Sequence, residues 1–227
     1  MKSLKTIFLL SMLIKSVFIF GQGTHDWATF NKYADANKSV KQSVDVVFMG
    51  NSITENWVNT HPEFFTENNY VGRGISGQVS SQMLVRFRAD VIDLKPIAVV
   101  ISAGTNDIAL NNGYISVEHI FGNIVSMAEL AKCNKIKVVL TSVLPVHNFP
   151  WRPEVESIKP VNELNEKMKE YAKKNNIAYA DYYEALVDER QGLSPQYQND
   201  EVHPNMAGYK IMEQLIQKKL SKIIRKK

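Results

Sequence analysis

Four polar clusters in this 227-residue sequence contain the residue types that acyl transfer through a serine requires. That chemistry needs a hydroxyl nucleophile, an imidazole that takes its proton, a carboxylate that orients the imidazole, and donors that stabilise an oxyanion. The clusters supply Ser52, the glycine-rich segment 72–77, Asn106, and the pair Asp200 and His203. Each cluster alone is a common polar turn, so the interpretation depends on the elements that would bring the four together.

Hydrophobic patterning predicts the elements that would position these clusters. A buried strand is predicted over 44–49, because four consecutive apolar residues lead into Gly50 and a tight polar turn. Further strands are predicted at 70–71, 97–101, 136–143 and 177–180. Because strands alternate with helical segments, we predict an α/β domain with one parallel five-stranded sheet between two helical layers. The clusters then lie along the carboxyl edge of the sheet, where ligands bind in such folds.

Apolar side chains at three- and four-residue spacing predict the helices. An N-terminal amphipathic helix that packs one face on the domain is expected from Trp27, Phe30, Tyr33 and Ala34. A longer helix begins after Ser116, which is placed to cap it. Residues 144–160 contain four prolines and predict a long loop. Loops of this length in compact domains are usually functional, so we interpret this one as a wall of the substrate cleft.

The segment 72–77 also matches the G-x-G-x-x-G pattern of dinucleotide-binding folds. That pattern needs an acidic residue about 20 positions further on, at the end of the next strand, to hold the ribose. The next predicted strand ends in Ser102-Ala103-Gly104 and carries no acid. We therefore predict no dinucleotide cofactor.

Together the clusters resemble the four sequence blocks of the SGNH hydrolases, also called GDSL-type esterases and lipases, which include bacterial acylhydrolases and carbohydrate acetylesterases. The blocks occur in the family's order, and the resemblance spans about residues 44 to 210. They are Gly50-Asn51-Ser52-Ile53, Gly74-Ile75-Ser76-Gly77, Gly104-Thr105-Asn106-Asp107 and Asp200-Glu201-Val202-His203-Pro204. Each block is weak alone, but four in the right order and spacing make a specific signal.

The resemblance implies a flavodoxin-like three-layer α/β/α fold and a serine esterase activity. It implies that Ser52 is the nucleophile, that His203 is the general base and then acid, and that Asp200 orients His203. It also implies an oxyanion hole built from the backbone N–H groups of Ser52 and Gly77 and the side-chain amide of Asn106. The chemistry agrees, because an imidazole can accept a proton near neutral pH and a glycine lets the backbone approach a substrate.

Three positions depart from the usual family pattern. Asn51 and Ile53 flank the nucleophile where Asp and Leu are usual, and Gln78 follows the glycine block where many relatives carry Asp. Asn51 can still hydrogen-bond within the turn, but it removes a negative charge beside Ser52.

An α/β-hydrolase is the alternative class of serine hydrolase that a Ser, Asp and His set could indicate. In that class the nucleophile lies in a G-x-S-x-G turn, whereas Thr54 occupies the position of the second glycine here. Asp200 and His203 are also only three residues apart. The sequence therefore favours the SGNH type.

The first 21 residues have the order of a secretory signal peptide. Lys2 and Lys5 precede an apolar run, and the small residue Gly21 follows it. Lys15 interrupts the run and leaves it shorter than the roughly 20 residues that a membrane anchor needs. We predict a cleaved leader over 1–21, a single domain over 22–227, and an exported protein of the periplasm or the extracellular space.

Composition excludes several classes of partner. Without the three lysines of the leader, the 27 basic residues become 24, against 23 acidic residues. A near-neutral chain has no electrostatic footprint for nucleic acid, and no stable membrane insertion is expected after the leader is removed. Cys133 is the single cysteine, so no intrachain disulfide can form. No group of His, Asp and Glu has persuasive metal-ligand spacing, so we expect an enzyme without metal or cofactor.

The cleft-wall loop indicates the substrate. Trp151, Arg152 and His147 lie in this loop and, with Asn51, are candidates for substrate binding. An aromatic, proline-rich wall without a lid-like apolar helix suits a small acyl group on a polar alcohol, so we predict removal of O-acetyl groups from a carbohydrate ester. Lysophospholipase, thioesterase or arylesterase activity is the alternative among enzymes. A non-catalytic carbohydrate-binding protein on the same fold is the alternative from another class.

Overall fold

The structure is a computed structural model that describes residues 26–40 and 44–224, so the predicted leader over 1–21 lies outside the described residues. The strands are β1 (Val46–Gly50), β2 (Tyr70–Gly74), β3 (Ala98–Ile101), β4 (Lys137–Thr141) and β5 (Ala178–Ala180). The helices are α1 (Ala34–Ser39), α2 (Ser52–Thr60), α3 (Pro62–Thr66), α4 (Ser80–Asp90), α5 (Thr105–Ile108), α6 (Val117–Cys133), α7 (Ile158–Lys174), α8 (Tyr182–Leu186) and α9 (Met206–Leu220).

The five strands form one parallel sheet in the order β2-β1-β3-β4-β5. Val46 of β1 lies opposite Tyr70 of β2 on one side and Ala98 of β3 on the other. The predicted α/β fold with a parallel five-stranded sheet between helices is confirmed. The chain leaves β1 toward β2 but returns on the other side of β1 at β3, and such a reversal opens a crevice at the carboxyl ends of the strands.

Alternate side chains of each strand enter two separate cores, because successive residues of a strand point to opposite faces of the sheet. Val47 and Met49 pack against α4, α6 and α7 on one face. Val46 and Phe48 pack against α2, α3 and α9 on the other. The ring of Phe48 meets Trp57 of α2 edge-on, with the centroids 5.5 Å apart. Burial on both faces explains why the strand reads as a continuous apolar run.

Ser116 is the N-cap of α6, as the sequence predicts, and its hydroxyl accepts a hydrogen bond from the backbone N–H of His119 at 3.3 Å. The long loop ends before α7, which begins at Ile158. Pro160 is therefore in the first turn of that helix rather than in the loop, where its missing N–H costs nothing because the first N–H groups of a helix have no intrahelical acceptor.

The N-terminal amphipathic helix predicted from Trp27, Phe30 and Tyr33 is wrong. A 3₁₀ turn, Phe30–Lys32, is followed by the separate helix α1, and the side chains of Trp27 and Phe30 are 43% and 42% exposed. The carbonyls of Trp27 and Ala28 accept hydrogen bonds from the side chains of Gln82 and Gln78 at 2.7 and 2.8 Å. Long-range contacts therefore replace the local helical hydrogen bonds of this segment.

Among the described residues, no helix is both long enough and apolar enough to cross a membrane.

Candidate active site

The turn between β1 and α2 places Ser52 at the carboxyl edge of the sheet. Gly50 ends the strand, and a Cβ there would lie 2.1 Å from Thr54 Oγ1, so the tight turn requires glycine. Asn51 is the N-cap of α2, and its Oδ1 accepts a hydrogen bond from the Ile53 N–H at 3.0 Å. Because Asn51 is only 3% exposed, its side chain has little surface left for contact with a substrate. Ser52 follows as the first helical residue.

His203 and Asp200 reach Ser52 from the segment before α9. Ser52 Oγ and His203 Nε2 are 2.8 Å apart, and His203 Nδ1 lies 2.8 Å from Asp200 Oδ2. A carboxylate only accepts hydrogen bonds, so Nδ1 carries the ring proton and Nε2 accepts from the serine hydroxyl. Asp200 Oδ1 also accepts the backbone N–H of His203 at 2.8 Å. The carboxylate thus fixes both the ring and the main chain of His203.

The ionisation of Asp200 suits this contact. Partial burial acts to raise the pKa of its carboxyl, but the hydrogen bonds from the backbone N–H and ring of His203 outweigh burial and lower the pKa below its ordinary value. Asp200 is therefore a carboxylate at any pH where the imidazole could act as a base.

The glycine block, residues 74–77, lies at the same carboxyl edge of the sheet. Gly77 has φ +78°, a left-handed conformation that favours glycine, and the turn is closed by a 3.2 Å hydrogen bond from Gln78 N–H to the Ile75 carbonyl. Gly72 and Gly74 lie inside β2, and added Cβ atoms would meet Val58 Cγ2 at 2.2 Å and Glu55 N at 2.3 Å. Their role is the close packing of α2 on the strand rather than the phosphate-binding turn of a dinucleotide fold.

Asn106 lies in α5, directly after β3, beside the glycine block. Its Nδ2 donates to the carbonyl of Gln78 at 2.9 Å, and its Oδ1 accepts from Nδ2 of Asn111 at 3.0 Å. An amide nitrogen has two N–H groups, so one remains for another acceptor. In the described part of the chain, neither the Ser52 N–H nor the Gly77 N–H has a hydrogen-bond acceptor. The structure therefore brings the predicted nucleophile, base, carboxylate and oxyanion donors to one edge.

This geometry is accompanied by a match to the model of the GDSL-like lipase/acylhydrolase family over residues 48–211. The chain belongs to that family. A GDSL-like lipase from Bacteroides thetaiotaomicron of known structure is 52% identical, with a TM-score of 0.86 over 88% of this chain and 100% of that one. The predicted family and enzyme class are confirmed, and the protein is a GDSL-like carboxylic ester hydrolase.

Two further comparisons show weaker similarities to this acylhydrolase. An acetylxylan esterase from Geobacillus stearothermophilus is 18% identical, with a TM-score of 0.64 over 82% of this chain and 98% of that one, a likeness of fold. The uncharacterized lipoprotein YqeF of Bacillus subtilis is 33% identical over 76 residues. That match covers 32% of this chain and 31% of the lipoprotein, about a third of either protein.

A buried arginine of the hydrolase, which the sequence interpretation missed, holds the nucleophile turn and the glycine block together. Arg86 is 0% exposed and donates to the carbonyls of Gly50 at 3.0 Å and Arg73 at 2.9 Å. Its Nε donates to Gln78 Oε1 at 2.6 Å, and its Nη1 pairs with Asp90 at 2.8 Å. Arg86 and Asp90 are four residues apart in the sequence, and this i, i+4 spacing of opposite charges was the one available signal.

Gln78, one of the three departures from the family pattern, has a defined task in this network. Its Oε1 accepts from Arg86, while its Nε2 donates to the carbonyl of Ala28 at 2.8 Å. Aspartate could pair with Arg86 but could not donate to a carbonyl. The amide therefore attaches the N-terminal segment to the site.

The candidate substrate-binding residues of the loop have hydrogen-bond partners outside the triad. His147 Nδ1 is 2.8 Å from the carbonyl of Arg190, and the loop packs there against the segment 188–192. Trp151 is 44% exposed and donates from Nε1 to Asn111 Oδ1 at 3.0 Å. Arg152 continues this turn, with its N–H bonded to the Phe149 carbonyl at 2.8 Å. Among the described residues, no hydrogen bond links His147 or Arg152 to Ser52 or His203.

Proposed function

We propose that this GDSL-like hydrolase cleaves carboxylic esters through an acyl-Ser52 intermediate. Ser52 Oγ attacks the ester carbonyl while its proton passes to His203 Nε2, and His203 then gives that proton to the departing alcohol. Water attacks the acyl-serine in a second round, with His203 again as base, and releases the acid and free Ser52. Asp200 orients the ring and stabilises its protonated form. The observation that carries this proposal is the Ser52–His203–Asp200 chain, with both hydrogen bonds at 2.8 Å.

We infer that the oxyanion of each tetrahedral intermediate is bound by three donors. These are the backbone N–H groups of Ser52 and Gly77 and the free N–H of the Asn106 amide. Such fixed donors stabilise charge that develops only in the transition state, and the loss of one typically lowers kcat by about 100- to 1000-fold.

We propose a short acyl group, acetyl, on a carbohydrate alcohol as the substrate. The exposed indole of Trp151, which is linked to Asn106 through Asn111, supports this, because an aromatic face offers an apolar surface to a sugar ring. The fold it shares with an acetylxylan esterase is consistent with this class. Lysophospholipase, thioesterase or arylesterase activity is the alternative, and a marked preference for octanoate over acetate esters would favour it.

We propose further that residues 22–227 form a single exported domain after cleavage of the leader. The lysine-flanked apolar run of residues 1–21 supports this, and so does the relationship to a lipoprotein. Fractionation of cells that express the full chain, with N-terminal sequencing of the product, tests it. An uncut N-terminus in the cytoplasmic fraction would contradict it.

The catalytic proposal is tested with p-nitrophenyl acetate, butyrate and octanoate and with a fluorophosphonate probe. We expect the native chain to hydrolyse acetate fastest and to be labelled at Ser52, whereas Ser52→Ala loses both activity and labelling. Ser116→Ala, which alters the N-cap of α6, serves as the matched serine control and keeps both. Hydrolysis at the uncatalysed background rate by both the native chain and Ser52→Ala would sink the catalytic assignment and leave the non-catalytic carbohydrate-binding alternative.

A further inference from the structure

Three side chains connect the exposed cleft-wall loop to the candidate oxyanion hole. Trp151 Nε1 donates to Asn111 Oδ1 at 3.0 Å, and Asn111 Nδ2 donates to Asn106 Oδ1 at 3.0 Å. Asn106 Nδ2 in turn donates to the carbonyl of Gln78 at 2.9 Å. Each group in this series donates in the same direction, from the indole to the glycine block.

The backbone fixes Asn111 opposite Asn106. The N–H of Asn111 donates to the carbonyl of Asn106 at 3.0 Å, and the N–H of Leu110 donates to the carbonyl of Asp107 at 3.0 Å. Leu110 has φ +56°. This pair of hydrogen bonds around a left-handed residue is the Schellman arrangement that ends helices. The short helix α5 therefore closes in a way that returns the Asn111 side chain to Asn106.

The orientation of the Asn106 amide decides whether it can serve an oxyanion. The two ends of an asparagine amide are similar in size, but one end donates hydrogen bonds and the other accepts them. A flipped amide would turn its carbonyl oxygen toward the developing negative charge. With Gln78 accepting at one end and Asn111 donating at the other, only the unflipped orientation satisfies both partners.

We propose that Asn111 is a positioning residue that holds the Asn106 amide in its donating orientation, and that Trp151 fixes Asn111 through its indole N–H. This rests on the proposed function, in which Asn106 is an oxyanion donor. The Trp151 ring packs against the buried Phe149 with the centroids 5.5 Å apart, and this contact helps to fix the position of the indole. The aromatic wall of the cleft thereby acts on kcat as well as on substrate binding.

The first experiment compares kcat and KM of Asn111→Ala and Asn111→Asp on p-nitrophenyl acetate. Because full loss of an oxyanion donor costs about 100- to 1000-fold, we expect loss of its support in Asn111→Ala to lower kcat by about tenfold. KM should change by less than about twofold, since ground-state contacts are kept. Asn111→Asp should lower kcat further, because a carboxylate cannot donate to Asn106 Oδ1 and favours the flipped amide. A role limited to loop packing would make the isosteric Asn111→Asp the milder change.

The second experiment is a double-mutant cycle between Trp151 and Asn111. Trp151→Phe keeps an aromatic ring and removes the N–H, and we expect it to lower kcat about threefold in the native background and not at all in Asn111→Ala. Additive effects on kcat would mean that Trp151 acts without Asn111 and would overturn the relay. Asn112→Ala, at the exposed residue next to Asn111, is the control and should keep kcat within twofold.

Ser52→Ala distinguishes a failure of the positioning role of Asn111 from a failure of the serine mechanism. If Ser52→Ala is inactive while both Asn111 variants keep native kcat, the positioning role is wrong and the serine mechanism stands. If Ser52→Ala keeps activity, the proposed function itself fails. Thermal melting of every variant confirms that the fold is retained, and Trp151→Phe, a conservative change on an exposed loop, carries the test if an Asn111 variant melts early.

Discussion

The carboxylate of Asp107 accepts two hydrogen bonds from Ser80, one from its backbone N–H at 2.9 Å and one from its hydroxyl at 2.6 Å. Ser80 is the first residue of α4, so Asp107 caps that helix from the turn after β3. Together with the contact between Asn106 and Gln78, this ties the asparagine block to the glycine block. Two neighbouring residues of one motif thus hold the relative position of the candidate oxyanion donors.

Asp107 should make stability depend on pH. Burial raises the pKa of its carboxyl to about 6, although the hydrogen bonds from Ser80 act to lower it. The folded chain therefore binds more protons than the unfolded chain between about pH 4 and pH 6, and the free energy of unfolding falls as pH rises through that window. Across that window the titration of Asp107 lowers the free energy of unfolding by up to about 3 kcal/mol. Urea unfolding at several pH values should show this slope in the native chain and a weaker slope in Asp107→Asn; equal slopes would contradict it.

Gln78→Glu should loosen the N-terminal segment. The carboxylate would still pair with Arg86, but it would face the Ala28 carbonyl, to which Gln78 now donates at 2.8 Å. An unmade hydrogen bond at a buried acceptor costs about 1–3 kcal/mol. We expect faster amide exchange or proteolysis in residues 26–39, with the sheet unchanged. Gln191→Glu, at an exposed position, is the control, and equal protection of the segment in both variants would disprove the attachment.

Asn51→Ala should destabilise the protein by about 1 kcal/mol, because it removes the side chain that caps α2. For a domain of this size that corresponds to a decrease in Tm of about 2–4 °C. Asn51→Asp, which restores the residue usual in the family, keeps the cap and adds a favourable charge at the helix N-terminus. Thermal melting distinguishes the two variants. A similar decrease in both would mean that the cap is not what Asn51 supplies.

Gly77→Ala should reduce both stability and turnover. A Cβ at this position meets nothing within 4 Å, so the expected cost comes from the left-handed backbone, φ +78°, and is about 1–2 kcal/mol. A shift of the turn would also move the Gly77 N–H away from the oxyanion and lower kcat. Gly122→Ala in α6 is the matched control, since it too meets nothing within 4 Å and should stabilise the helix by up to about 1 kcal/mol. A native kcat in Gly77→Ala would show that the Gly77 N–H is not an oxyanion donor.

The sequence alone determined the sheet and the identity of its polar edge. Val46 to Met49 form an apolar run because β1 is buried on both faces, and that signal is local. The position of Ser52 and Asn106 at one edge followed from the parallel topology, and the four ordered blocks identified the family. These features are written in residue types and spacing, which is why they could be predicted.

Only the tertiary structure decided how that edge is held together. The interpretation of Trp27 and Phe30 as a packed helix failed because distant side chains bond this segment. Gln78 and Gln82, some 50 positions away in the chain, donate to its carbonyls in place of helical amides. The contacts of Arg86 with the Gly50 carbonyl and of Asn111 with Trp151 are likewise specified by no local pattern, since a hydrogen bond depends on atoms meeting within about 3 Å. Spacing along the chain encodes burial and periodicity, whereas the contact of Asn106 with Gln78 and that of Asn111 with Trp151 arise only once distant segments are folded against each other.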